Sequence, residues 1–381
     1  MSFPGCVPLL TDGVVTLRAH TEDDVDALYE QATDSVMLRW TTVPDPSTRE
    51  DAKEFATQII PAGWREDREW AFAVDAPGED GLPRFVGTVS LRNEGFRRAE
   101  IAFGAHPWAR GSGYVVRALE LLLDWGFRER GLRTVIWWAN KGNWASRKVA
   151  WRLGFSFDGT VRQWMTQRGE LRDGWVGALT SDDERLPRTP WFDVPLITGR
   201  GVALRAPRES DVARIVEACS DERTSYWLSG LPAPYTLEDA HAFLELKREQ
   251  RAEGKGLSWV VAHPETDELM GNIAIFDINQ HGDAEVGYWS HPSARGRGMM
   301  TEACRLVVRH AFIPKEDGGI GLRRLHINAG VGNTASRRVI EANGFVEVGR
   351  LRQENPLRDG SFTDTVHYDL LASEYDARRG T

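Results

Sequence analysis

The sequence predicts an α/β protein of two tandem domains, each a mixed, mostly antiparallel, splayed sheet flanked by helices, and three observations predict it. The first is internal repetition. LRAHTEDDVDAL from Leu17 is answered by LRAPRESDVARI from Leu204, AEIAFGAHPWARGSG from Ala99 by AEVGYWSHPSARGRG from Ala284, and NWASRKVAWRLGF from Asn143 by NTASRRVIEANGF from Asn333. Equivalent positions lie 185 residues apart at Glu100 and Glu285, and 190 apart at Ser146 and Ser336. Repeats that long, in two copies only, are duplicated globular domains and not turns of a solenoid. The second is composition: 381 residues, 41% hydrophobic and 27% charged, suit an ordinary globular chain with two cores. The third is that strand-like and helix-like segments follow one another in the same order in both halves. The first domain is expected over 1–180, a linker over 181–198, and the second domain over 199–381. In SDDERLPRTPWFDVPLITG, from Ser181 to Gly199, acidic residues and three prolines break every periodic pattern.

Each half opens with a strand at its Leu-Arg pair, followed by a helix capped through Thr21 or through Arg208-Glu209-Ser210. WAFAV from Trp70 and FVGTVSL from Phe85 form neighbouring strands split by the turn-rich DAPGEDGLP, and SWVVA with MGNIAIF repeats them. AEIAFGAH and AEVGYWSH supply a third strand. A glycine-rich turn and a helix follow, because Val115, Ala118, Leu119, Leu122 and Leu123 fall at i, i+3, i+4, i+7 and i+8, as do Met300, Ala303, Cys304, Val307 and Val308. TVIWWAN or RLHINAG then gives a strand. After it comes a helix beginning near Ala145 or Ala335 and stopped by Gly154 or Gly344. Each half is expected to end in strands.

Several function classes are disfavoured. A net charge of -9 argues against nonspecific nucleic-acid binding. No run approaches the roughly 20 apolar residues of a membrane span, and MSFPGCVPLLTDG has no basic n-region. Cys6, Cys219 and Cys304 are scattered, and no HExxH or Cys/His spacing suggests a metal. A cytoplasmic protein with no metal, nucleic-acid or membrane partner is expected.

The chemistry is expected where the third strand meets its helix. Arg295-Gly296-Arg297-Gly298-Met299 places two glycines before the helix, and Arg110-Gly111-Ser112-Gly113 repeats the arrangement. Glycine lets the backbone approach a ligand closely, and unpaired N–H groups at the helix start point at one spot that suits a pyrophosphate. Arg295 and Arg297 could add charge-assisted contacts. A simple tight turn is the bland alternative, which the recurrence disfavours. Neither a Walker loop nor GxGxxG is present.

These residues resemble the GNAT superfamily of acyl-CoA N-acetyltransferases, nearest its Rim-type ribosomal-protein members, in tandem duplication. The marks are the opening LRxxxxxD, the AE(I/V) strand, HPxxRGxG, Asn333 with Ser336, and the closing GF, over most of both halves. The resemblance implies acetyl-CoA as cosubstrate, its pyrophosphate on the RGxG loop and its pantetheine between the splayed strands AEVGYWS and RLHINAG, near the Ser290 backbone. It implies direct attack by an amine, with Glu285 as general base, Asn333 bonding pantetheine, and Ser336 near the sulfur; Glu100, Asn143 and Ser146 are the equivalents. Each has a bland alternative: a strand carboxylate paired with an arginine for Glu285, and helix capping for Asn-Thr-Ala-Ser. The acceptor would be a primary amine of a small molecule or a peptide N-terminus. The fusion is expected to make a pseudo-dimer within one chain, with further dimerisation left open.

Two departures mark the sequence. The tyrosine that many members carry four residues before the final glycine is Ile340 in one half and Ala150 in the other. The last signature glycine or alanine is Met300 or Val115. The N-terminal half is the more degenerate, so chemistry is expected in the C-terminal half. Trp137, Trp138, Trp144, Trp151 and Trp164 read chiefly as core and interface filling, with a flat or cationic acceptor as the sharper alternative. The competing function class is a noncatalytic acyl-CoA-binding or protein-interaction module in one or both halves. It would be favoured if Met299, Met300 or Trp289 blocked the cleft.

Overall fold

A computed structural model describes residues 2–379. The chain divides into two compact units, Met1–Arg188 and Thr189–Thr381. In the first, strands β1 (Leu10–Thr11), β2 (Thr16–Arg18), β3 (Glu69–Pro77), β4 (Pro83–Asn93), β5 (Arg98–Ala105), β6 (Thr134–Asn140), β7 (Gly159–Gln167) and β8 (Glu170–Thr180) form one sheet in the order β1-β2-β3-β4-β5-β6-β8-β7. In the second, β9 (Ile197–Gly199), β10 (Val202–Arg205), β11 (Leu257–Ala262), β12 (Leu269–Phe276), β13 (Asp283–Ser290), β14 (Arg324–Gly330), β15 (Val346–Pro356) and β16 (Phe362–Leu371) form the same sheet again. Every neighbouring pair is antiparallel except β5 with β6 and β13 with β14. Those parallel pairs are joined by the crossover helices Tyr114–Arg128 and Met299–Phe312. The fold is α/β, two tandem domains of mixed, mostly antiparallel sheet with flanking helices.

Both faces of each sheet are covered. In β3, Phe72 and Val74 enter the core under the crossover helix, whereas Ala73 packs with Val25, Leu28, Ala52 and Phe85 on the other face. The periodic positions of the crossover helices lie inward: Ala118, Leu119, Leu122 and Leu123 are buried, as are all five of their counterparts from Met300 to Val308, with Val115 only partly covered. The opening motif LRxxxxxD is structural. The Arg205 guanidinium donates two 2.8 Å bonds to Asp211, both side chains buried, and Arg18 grips Asp24 at 2.8 and 2.7 Å. This bidentate clamp ties the first helix to the sheet.

The elements differ from the sequence reading in three places. A short strand, β1 or β9, precedes each Leu-Arg strand. The C-terminal half ends in a helix, Ala372–Arg379, and not in strands. A third helix of the C-terminal half, absent from the sequence reading, is continuous over Leu237–Ala252, whereas its counterpart widens to a π turn over Phe55–Ile59. Pro61, next to that turn, has no N–H to give a regular ladder. No helix among the described residues is long and apolar enough to cross a membrane.

Candidate active site

Each parallel pair is a fork. β13 pairs with β14 only through Asp283, Ala284 and Glu285, opposite Arg324, Leu325 and His326, although β13 continues to Ser290 and β14 to Gly330. β5 and β6 likewise pair only from Arg98 to Ile101. Beyond each fork the facing strand edges have lost their ladder, so backbone N–H and C=O groups are left for another extended chain to bond.

The RGxG loops sit at the far end of these strands. Gly296 and Gly298 have φ of 72° and 73°, and Gly111 and Gly113 have 77° and 85°, so both positions in both halves require the left-handed region. A Cβ on any of the four would meet no protein atom within 4 Å, so the space above each loop is open. Gly298 and Gly113 are the N-caps of the crossover helices, and neither cap is closed by its own side chain. In the N-terminal half the Ser112 hydroxyl accepts from the Tyr114 N–H at 3.3 Å, filling part of the helix head internally; Arg297 occupies that place in the C-terminal half and is exposed. This open head of helix dipole and amides fits a diphosphate.

The arginines before the glycines do something else. Arg295 donates to the Asp221 carboxylate and, at 2.8 Å, to Thr224 Oγ1. Arg110 donates to Asp34 in the same way. Asp221 and Asp34 are the N-caps of helices Glu222–Trp227 and Ser35–Trp40, so each arginine ties its loop to the start of that helix. The guanidinium holds each carboxyl below the usual carboxylate range. Arg295 and Arg110 are thus each paired with a carboxylate of their own half.

Each of those helices ends in a tryptophan that roofs the fork. Trp227 lies 2.8 Å from where a Gly330 Cβ would be and 3.2 Å from that of Gly332, and Trp40 lies 3.3 Å from that of Gly142. The glycine before each Asn-x-x-Ser turn leaves room for the indole. Met299 and Met300 are buried in the core, and Trp289 packs near Phe243, 6.4 Å between ring centroids, so these three side chains are occupied elsewhere.

The two candidate bases differ. Ala284 and Val286 face the core, so Glu285 between them faces the other side of the sheet at the root of the fork. Its carboxylate accepts from Asn328 Nδ2 at 2.9 Å and lies 3.6 Å from His326 Nε2. Glu100 occupies the same place but accepts from Arg92 Nη1 at 3.1 Å. Arg92 stands directly opposite Glu100 in the ladder, where Phe276 stands opposite Glu285. Burial pushes the Glu100 carboxyl above its ordinary value, against the pull of Arg92.

On the other side of the fork, Asn333 and Asn143 cap their helices, each accepting from the serine N–H three residues on at 3.2 Å. Tyr288 Oη lies 3.0 Å from Ser336 Oγ and 3.1 Å from the Ser336 carbonyl. In the N-terminal half Trp137 Nε1 donates to Ser146 Oγ at 3.0 Å. Sequence reasoning singled out neither Tyr288 nor Asp221. Tyr368 is a packed strand residue whose hydroxyl accepts from Arg337 at 2.8 Å. Of the tryptophans, Trp137 is buried, Trp144 packs edge-on to buried Trp175, and Trp138 stacks on Trp164, which is 60% exposed. Among the described residues no group of three or more His, Cys, Asp and Glu is placed to hold a metal.

The Bacillus subtilis (strain 168) protein YdaF, provisionally assigned as a ribosomal N-acetyltransferase, is 29% identical over 182 residues, 47% of this chain and 95% of that protein. The ribosomal-protein-serine acetyltransferase of Escherichia coli (strain K12) is 35% identical over 109 residues, 28% of this chain and 58% of that one. Among solved structures, Mycobacterium smegmatis RimJ in complex with CoA-disulfide aligns at 24% identity and a TM-score of 0.41, over 45% of this chain and 83% of that one. The family model described as acetyltransferase (GNAT) domain matches residues 15–156 and again 202–346. With that match spanning most of each half, the chain belongs to the GNAT family of acyl-CoA-dependent acetyltransferases, as a tandem pair of its domains.

Proposed function

We propose that the chain transfers the acetyl group of acetyl-CoA to a primary amine, on a protein N-terminus or a small molecule, by direct attack, and that turnover belongs to the C-terminal half. The observation that carries this reading is the fork of β13 and β14, with Glu285 on one face at its root, Ser336 on the other, and the open Gly296–Gly298 loop at its end. Gly296, Arg297, Gly298 and Met299 hold the diphosphate through backbone amides, and the edge of β13 up to Ser290 bonds the pantetheine. Gly111, Ser112, Gly113 and Asn143 would do so in the other half.

Glu285 takes the proton of the acceptor ammonium, directly or through a water, because only the neutral amine has a lone pair. The amine attacks the thioester carbon while strand amides stabilise the oxyanion. The C–S bond then breaks with its electron pair on sulfur, which leaves on the Ser336 side, and the nitrogen gives its second proton to water as the neutral amide forms. Base and leaving group thus work from opposite faces of one strand. Relatives named for ribosomal N-acetyl transfer and for ribosomal-protein-serine acetyl transfer support a protein amine as acceptor class.

A second reading applies to the N-terminal half: it binds acyl-CoA without turnover, because Arg92 holds the Glu100 carboxylate and Ser112 fills part of the helix head. Incubation with acetyl-CoA and a panel of peptides and small amines, following free thiol, tests the proposal. Amine-dependent thiol release with a matching mass gain on the acceptor is expected; CoA binding without transfer to any acceptor would leave only the binding reading.

A further inference from the structure

Ser336 and Ser146 each have a polar group of a neighbouring strand at the side-chain oxygen, but it comes from different strands. In the N-terminal half it comes from β6: Trp137 Nε1–H donates to Ser146 Oγ at 3.0 Å. An indole nitrogen can only donate, so the direction of this bond is fixed. In the C-terminal half Ile327 stands where Trp137 does and has nothing to donate. There Tyr288 reaches across the fork from β13: its hydroxyl lies 3.0 Å from Ser336 Oγ, where either oxygen can donate, and 3.1 Å from the Ser336 carbonyl, which can only accept, while the N-terminal half has Phe103 at that position. A donor missing from one strand is therefore supplied by the other. Capping of the helix does not call for it, because Asn143 and Asn333 already meet the serine N–H groups. When Tyr288 gives its one hydrogen to Ser336 Oγ and not to the carbonyl, the two arrangements share a serine oxygen that accepts, which leaves the serine hydrogen to be donated elsewhere.

We propose that Tyr288 is a positioning residue that turns the Ser336 hydroxyl toward the leaving sulfur, so that Ser336 donates a hydrogen bond to the thiolate as the C–S bond breaks. The inference rests on the acetyl-transfer reading above and supplies what replaces the tyrosine missing at Ile340. No proton leaves Tyr288. The thiolate departs hydrogen-bonded to Ser336 and takes its proton from solvent after release. Burial pushes the Tyr288 hydroxyl far above the usual phenol range, so it stays a neutral donor. The groups facing it behave alike: burial pushes the Cys304 thiol up to about 12, and raises Tyr368.

The test uses the full chain. With acetyl-CoA and a serine-initiated peptide as probes, Tyr288→Phe lowers kcat about ten-fold while KM for acetyl-CoA stays within about two-fold, the loss expected for one bond made chiefly in the transition state. Ser336→Ala loses a similar factor, and the double variant loses no more than the single ones, since both remove one device. The ultraviolet titration of bound CoA, with desulfo-CoA subtracted, adds a readout that needs no acceptor. The bound thiol ionises about one pH unit lower in the unsubstituted protein than in Tyr288→Phe, and any thiol bound by the other half contributes equally to both and subtracts out. Phe103 shows that phenylalanine fits this strand position. An unchanged kcat and thiol titration in Tyr288→Phe, or losses that add up and come with weaker CoA binding, would overturn the positioning role and leave acetyl transfer standing. Absence of any CoA binding to the unsubstituted protein overturns both.

Discussion

The two halves share a fold, a fork and a loop, and differ in what surrounds the carboxylate at the root of the fork. Glu285 faces Asn328, His326 and the ring of Phe276; Glu100 faces Arg92, with Trp138 at the position of Asn328. A neutral amide can steady a base and release it, but a guanidinium competes with the incoming ammonium for the same oxygens. The comparison teaches that a duplicated domain can keep its framework intact while a single opposite residue in the ladder, Arg92 or Phe276, decides whether the carboxylate is free to take a proton.

The sharpest way to break that comparison is at the carboxylates. Glu285→Gln is expected to lower kcat by about 100-fold or more, the usual loss of a general base, whereas Glu100→Gln costs less than about three-fold; equal losses would place turnover in both halves. At the loops, Gly298→Trp puts an indole into open space from a left-handed backbone position, and is expected to cut kcat/KM by on the order of 100-fold. Gly113→Trp lowers the stoichiometry of CoA bound per chain but costs turnover at most a few-fold, as calorimetry and thiol release will show.

A third difference concerns acid. Burial holds His20 down to about 4 from its ordinary 6.5, while Pro207 occupies that place in the other half. The unfolded chain takes up this proton first, so stability is whole above pH 6.5 and is lost as pH falls toward 4, by about 3 kcal/mol at most. Hydrogen exchange by mass spectrometry on the intact chain should show protection falling in the N-terminal half over that window, and His20→Gln should flatten the fall. The smallest effect is expected at the anchors: Asp221→Asn raises KM for acetyl-CoA a few-fold by loosening Arg295. The Arg295 guanidinium keeps Asp221 below the usual carboxylate range, so the anchor persists above the ordinary carboxylate value and fails as pH falls through the lowered one.

Much of this was legible from residues alone, for physical reasons. Apolar spacing at Ala118, Leu119, Leu122 and Leu123 reports a buried helix face, and two glycines repeated before a helix report backbone that must turn left-handed. The fork followed from the family resemblance and not from any pattern in β13 or β14. What stayed hidden depends on contacts far apart in sequence. Arg295 and Asp221 are separated by 74 residues, and nothing near Arg295 says that its charge is spent on a helix cap. The opposition of Arg92 to Glu100 is a matter of strand register, which alternation alone does not fix. Tyr288 reads as one more aromatic in a strand until its hydroxyl is seen to cross to Ser336.

The arginine anchor links more than two side chains. Arg295 at the loop holds Asp221, Asp221 starts the helix Glu222–Trp227, and Trp227 covers the end of the gap; Arg110, Asp34 and Trp40 repeat the linkage. On the proposed reading, phosphates settling on the loop would steady that helix and its tryptophan before the second reactant arrives. The kinetic signature of such a linkage is compulsory order: the nucleotide thioester loads first and the nucleophile second, with the free coenzyme as the last species to leave.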